Sequence, residues 1–191
     1  FIHYCRESDD LITHDTIPVL ENGLFALALF RTRLSDNVLE GKSIIEKLLP
    51  FEVNGNFPTY LHTYPQIGDT YLNLRLLPIF FWIVTDFGHV IGGLKQLLEA
   101  CIERIIAHCN PQSNWAKFRL AAFEGKVGPL PQNLNEWGEG LVTLQMAEKR
   151  GANIEEALQA AFKLWHPELS LYIGPSSHRN QHGNLPEVTL F

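Results

Sequence analysis

The sequence predicts a mainly α-helical fold of successive antiparallel helix pairs, arranged as an arc of helical hairpins with a short β-like tail. Apolar residues recur three and four positions apart along most of the chain up to residue 165, the period of a helix with one buried face. Proline, glycine and helix-capping residues separate these stretches. The apolar centres of alternate helices recur at intervals of roughly 45–50 residues, a spacing typical of two-helix repeats. These centres are residues 24–30, 77–81 and 120–123.

The first two helices are predicted over residues 19–34 and 38–49. Residues 35–37, Ser-Asp-Asn, favour a break followed by a new helix start, because their short polar side chains cap free backbone N–H groups. Pro50 ends the second helix, since a proline cannot continue the backbone hydrogen-bond ladder.

The third helix is predicted over residues 70–86, with Asp69 or Thr70 as its cap and Gly88 beyond its end. Its second half is apolar on nearly all sides, which indicates a central helix that is buried on most sides. Pro78 is expected to kink it or to lie in its first turns.

Four more helices follow in the same style. The fourth, over residues 92–108, is amphipathic; its apolar stripe is Leu94, Leu97, Leu98, Cys101, Ile102, Ile105 and Ile106. A fifth begins after Ser113, and a sixth covers residues 134–149. The seventh opens at Asn153, and its apolar stripe is expected to reach Trp165.

The pattern changes after Pro167. Apolar and polar residues alternate over residues 169–173, and residues 188–191 are also strand-like. We therefore expect one domain, with a helical-hairpin part over residues 1–167 and an irregular, β-like tail over residues 168–191.

Composition excludes several classes of protein. The 191 residues are 46% hydrophobic and 19% charged, with a net charge of −6, a globular balance without any cluster of Lys or Arg. A nucleic-acid partner is not expected, because binding phosphates requires clustered cations. The longest apolar run, residues 76–84, is about half the length of a membrane span. Because the chain begins at Phe1 rather than at Met, we expect flanking residues beyond it.

The connector over residues 54–65 is the most unusual stretch, with an Asn-Gly step and two X-Pro steps that require turns and extended backbone. Its candidate ligand-binding residues, with one carboxylate just beyond it, are Phe57, Tyr60, His62, Tyr64 and Asp69. Aromatic rings can stack on sugar rings while hydroxyl, imidazole and carboxylate groups bind sugar hydroxyls. The alternative is structural: such connectors often tuck their aromatic rings into the core.

Two further places could carry chemistry. Asp86 and His89, at the end of the third helix, could form a carboxylate–imidazole pair that acts as a general base, or His89 could simply complement the negative helix end. Glu136 and Glu139 flank Trp137 at a helix start, as an acid/base pair of a glycosidase would, or as ordinary acidic residues of a first turn.

No metal and no cofactor is expected. Cys101, His108 and Cys109 lack the spacing of a zinc site, and no nucleotide-binding or nucleophile motif occurs. Cys101 and Cys109 are also too far apart along one helix to form a disulfide, which favours reduced thiols and a cytoplasmic protein.

The paired helices, the buried inner helix and the connector Gly-Asn-Phe-Pro-Thr-Tyr-Leu-His-Thr-Tyr together resemble part of an α/α toroid, the six-hairpin architecture of several glycosidases and polysaccharide lyases. The resemblance covers roughly residues 19–165 and is architectural, so no catalytic residue is carried over. It implies an aromatic and acidic surface that binds or processes a glycan. This chain would be an arc of such a toroid, a reduced variant or a different helical fold.

The competing hypothesis is a non-enzymatic helical-repeat module, whose stacked hairpins bind a protein partner. Trp115 and Trp137 would then be binding anchors. Whether the chain is an enzyme is left open by the sequence.

Overall fold

The computed structural model describes residues 1–3, 16–69, 71–109, 112–129, 134–163, 165–166, 168 and 171–172. Over these residues the protein is mainly helical, which confirms the predicted class. The helices are α1 Val19–Thr32, α2 Ser35–Leu48, α3 Leu72–Phe87, α4 Leu94–His108, α5 Asn114–Phe123, α6 Leu134–Lys149 and α7 Glu155–Phe162. Short 3-10 turns cover Leu49–Phe51 and Leu61–Thr63. Two short antiparallel strands, β1 Trp165–His166 and β2 Leu171–Tyr172, follow α7.

The chain divides into two compact units, residues 1–109 and residues 110–191, and each is described by itself. In the first unit α1 packs on α2 and on α3, and α3 packs on α4. In the second unit α5 packs on α6, and α6 on α7. Helix pairing is thus confirmed, whereas the predicted boundary at residue 167 stays a prediction.

Most helix ends lie within about three residues of their expected positions, and local chemistry explains them. Arg33 takes the left-handed conformation with φ 59° and closes α1 by donating its N–H to the Phe30 carbonyl. The fifth helix begins after Ser113 as expected, and the Ser113 hydroxyl caps it by accepting the N–H of Ala116 at 3.1 Å.

The expected extent of α7 was wrong. The helix ends at Phe162, and Trp165 lies in β1, where it pairs with Tyr172. Pro167 disfavours helical backbone at the residue before it, so the chain has left the helix by His166 and turns back to form the small sheet. The strand expected over residues 188–191 lies outside the described residues.

The core of the first unit is built around α3, as the sequence predicts. Its fully buried side chains include Leu74, Leu76, Leu77, Phe80 and Ile83, and Pro78 is buried within the helix. Leu97 of α4 is 57% exposed, although it was placed on the apolar stripe. A helix stripe is defined by spacing alone, so which of its margins a neighbour covers depends on the packing. No helix of the described part is both long and apolar enough to cross a membrane.

Candidate functional site

The connector between α2 and α3 begins with a tight hairpin turn. Val53 and Asn56 exchange two backbone hydrogen bonds of 2.8 and 3.0 Å across it. Between them Asn54 and Gly55 both have positive φ, 50° and 77°. Asn-Gly is the sequence that adopts this two-residue turn at least cost, so the turn signal in the sequence is realised.

The turn is pressed against α4. A Cβ atom on Gly55 would lie 2.5 Å from the carbonyl oxygen of Arg104, so only glycine fits there. The carbonyl of Gly55 accepts a hydrogen bond from the buried Asn73 side chain on α3 at 3.2 Å. The turn therefore packs closely against α4 and is hydrogen-bonded to α3.

An ion pair fastens the same turn a second time. The Glu52 carboxylate is 8% exposed and accepts hydrogen bonds from Nε and Nη2 of Arg104, with 2.9 Å from Nε to each oxygen. It also accepts the N–H of Gly55 at 2.8 Å. Burial raises the pKa of Glu52, but the hydrogen bonds from Arg104 and Gly55 and the Arg104 charge outweigh it and hold that pKa below its ordinary value.

Cys101 lies beneath this pair. Its side chain is fully buried, and burial together with the adjacent Glu52 carboxylate raises the pKa of the thiol to about 12. Both Cys101 and Cys109 are free thiols. Sequence reasoning missed the Glu52–Arg104 pair because 52 positions separate its partners, which share no local pattern.

The connector aromatics divide into buried and surface rings. Phe57 is fully buried and packs edge-to-face on Phe80, with ring centroids 5.9 Å apart. Its ring therefore belongs to the core and is excluded from the candidate site. Tyr60 and His62 stack on each other at 5.6 Å, and Tyr64, 47% exposed, packs edge-on against Phe51. Of these three residues, His62 and Tyr64 are exposed and Tyr60 is half-buried.

The Asp69 carboxylate takes part in a hydrogen bond within the protein. Its Oδ1 accepts the backbone N–H of Tyr71 at 2.8 Å, immediately before α3. This is the local turn that aspartate forms at helix starts, and it accounts for the residue without a ligand.

Asp86 and His89 line a separate groove of about 610 Å³ in the first unit. The groove lies where the link between α1 and α2 faces the end of α3. Its walls, in chain order, are Arg33, Ser35, Val38, Leu39, Asp86, Phe87, His89 and Val90. Phe87 is buried and stacks on Phe30 at 5.4 Å, which gives the groove a fixed apolar floor.

The ionisable groups of the groove are exposed and uncompensated. Among the described residues, the side chains of Arg33, Asp86 and His89 take part in no hydrogen bond or ion pair. Of the two interpretations of Asp86 and His89, the carboxylate–imidazole pair is therefore not formed. At the rim, Leu39 is 63% exposed and Val90 is 50% exposed. The groove thus combines an apolar floor, apolar rim side chains and charges of both signs.

The remaining candidate residues lie in the second unit, and the structure describes only some of their side chains. Glu136 and Glu139 lie in α6, and their side chains fall outside the described residues. Trp115 is half-buried, and the buried Arg119 guanidinium lies 5.2 Å from its ring centroid. Within the described residues no three His, Cys, Asp or Glu side chains come together as a metal site.

Comparison with known proteins returned no match: no family model, no curated protein and no solved structure is similar to this chain. The resemblance to an α/α toroid therefore stays a prediction.

Proposed function

We propose that this chain is a helical interaction module and that the groove beside Asp86 receives apolar side chains of a protein partner. The groove itself is the observation that supports this. Its volume of about 610 Å³ falls in the range of roughly 300–1,000 Å³ of pockets that bind ligands. Apolar walls with a few polar groups at the edge are typical of such pockets.

The exposed apolar side chains beside the groove favour the binding of a partner there. Leu39 and Val90 leave half or more of their surface in water, although both line the same groove as the buried Phe87. Covering apolar surface stabilises a complex by roughly 25 cal/mol per Å², so these side chains gain from any partner that covers them. Charges at the rim would then give orientation and specificity more than affinity.

The connector offers weaker support for a glycan. The Asn-Gly turn, Glu52 and the buried ring of Phe57 are each accounted for by packing or hydrogen bonding within the protein. What favours a glycan is the stacked pair of Tyr60 and His62 together with the exposed ring of Tyr64, since aromatic ring faces can stack on sugars. Carbohydrate binding by these rings is therefore the second candidate function.

One titration separates the two candidates. A capped peptide of alternating leucine, glutamate and lysine serves as the protein-like probe, and a panel of neutral and acidic oligosaccharides as the other. We expect the peptide to shift the backbone amide resonances of Leu39 and Val90. Leu39→Ser should weaken its binding, whereas Leu97→Ser, a control with similar exposure on α4, should not.

The opposite pattern would overturn the proposal. If an oligosaccharide raises the melting temperature and Tyr60→Ala or Tyr64→Ala abolishes that rise, while the peptide has no effect, the protein binds glycans through the connector. If the oligosaccharide panel produces no shift in melting temperature, the glycan function is dropped.

A further inference from the structure

The groove carries a charge pattern that can complement itself. It presents one cation, Arg33, and one anion, Asp86, and no ion pair in the described part of the chain neutralises either. The first stands on the α1–α2 link and the second in the last turn of α3. A surface with one unpaired charge of each sign can meet a copy of itself with both signs matched.

We propose that the partner in this groove is a second copy of the chain, related by a two-fold axis, with Arg33 of each copy facing Asp86 of the other. This inference rests on the proposed interaction function and names its partner. In a two-fold interface the same patch occurs on both sides, so a contact between residue i and residue j occurs twice. The interface therefore contains two ion pairs, which we call cross-pairs: Arg33 of each copy with Asp86 of the other.

The apolar residues suit the same arrangement. Because Leu39 is 63% exposed and Val90 is 50% exposed, both stand at the rim and can enter the groove of the other copy. The floor they would reach is Phe87, which its stacking on Phe30 holds in place. Each copy then supplies both the cavity and the side chains that fill it.

The net charge of each copy opposes this association. Each copy carries −6, so two copies repel each other at long range, and moderate salt screens that repulsion. The cross-pairs are partly exposed and each contributes little by itself. We therefore expect a reversible dimer with a dissociation constant in the micromolar range or weaker.

Charge reversal tests the geometry directly. Arg33→Asp leaves each dimer interface with only acidic groups at the two cross-pairs, and Asp86→Arg leaves only basic ones. Sedimentation velocity should show that each variant alone associates about tenfold more weakly than the unaltered protein. An equimolar mixture of the two variants should regain association, because every cross-pair then again joins opposite charges.

Both substitutions suit their backbone. Aspartate tolerates the left-handed conformation of residue 33, and arginine is favourable in the last turn of a helix. Arg31→Asp is the matched control, since Arg31 is an exposed residue of the same turn of α1 and does not line the groove. It should leave the dimer unchanged, and circular dichroism verifies that all variants fold.

Three results would overturn the inference: a monomer at every concentration up to about 1 mM, a dimer that neither reversal weakens, or no recovery in the mixture. The peptide titration distinguishes failure of the dimer proposal from failure of the proposed interaction function. If the peptide still binds the groove of a monomeric protein, only the second copy is wrong. If neither copy nor peptide binds, the interaction function fails as well.

Discussion

Replacing Glu52 by glutamine removes one charge from the point where the connector is fastened to α4. The carboxylate accepts charge-assisted hydrogen bonds from Nε and Nη2 of Arg104 and a neutral one from Gly55. Hydrogen bonds to charged groups contribute roughly 1.5–3 kcal/mol, about twice the neutral value. Because Arg104 is 47% exposed, water screens the pair, and we expect Glu52→Gln to lower the free energy of unfolding by about 1–2 kcal/mol.

The assay is urea unfolding followed by far-ultraviolet circular dichroism, with thermal unfolding beside it. For a chain of this length, the expected loss corresponds to a fall in melting temperature of about 2–8 °C. Glu99→Gln is the matched control. Glu99 pairs with Lys95 across one helical turn at 3.8 Å with both side chains exposed, so its loss should cost about 0.5 kcal/mol or less.

A second measurement uses pH. The pKa of Glu52 is held below its ordinary value of 4.5 in the folded protein, so its stabilisation is complete above that value. It is lost as the pH falls through the lowered pKa, because the unfolded chain then binds the proton more readily. The stability difference between the unaltered protein and Glu52→Gln should therefore shrink in acid. A difference no larger than that of Glu99→Gln at neutral pH would refute the account of the pair.

Three further predictions concern the same unit. Gly55→Ala should lower the free energy of unfolding in urea by about 2–4 kcal/mol, because the added Cβ would lie 2.5 Å from a carbonyl oxygen of α4 and the φ of residue 55 is positive. Gly93→Ala is the control: open space surrounds that position, so the loss should be about 0.5 kcal/mol or less. Equal losses for the two variants would contradict the close approach of Gly55 to α4. Asn22→Ala should lower the free energy of unfolding by about 2–3 kcal/mol, since the buried amide of Asn22 accepts the N–H of Ile2 and donates to its carbonyl. An unchanged melting temperature would mean that these hydrogen bonds do not stabilise the fold. Iodoacetamide should label the half-buried Cys109 in the folded protein but reach Cys101 only on unfolding; mass spectrometry measures this, and equal labelling rates would contradict the burial of Cys101.

The sequence alone determined the helical class, the order of the helices and most of their ends. These are local properties: a three-to-four spacing, a proline or a capping serine acts within a few residues of itself. The sequence also placed α3 at the centre, because a helix whose second half is apolar on nearly all sides must be buried on most of them. The sequence also predicted the turn at Asn54–Gly55, because the turn preference of Asn-Gly is likewise a local property.

Tertiary structure alone decided which side chains meet. The same periodicity that located α4 could not show that Leu97 faces water, and a ring suited to sugar stacking, Phe57, proved to be a core residue. Arg33 and Asp86 come to one groove although more than fifty residues separate them, as Glu52 and Arg104 come to one ion pair. Spacing along a helix specifies which residues share a face, whereas the packing of the whole unit decides what that face contacts. The candidate groove is formed by this packing, so the sequence pattern could not predict it.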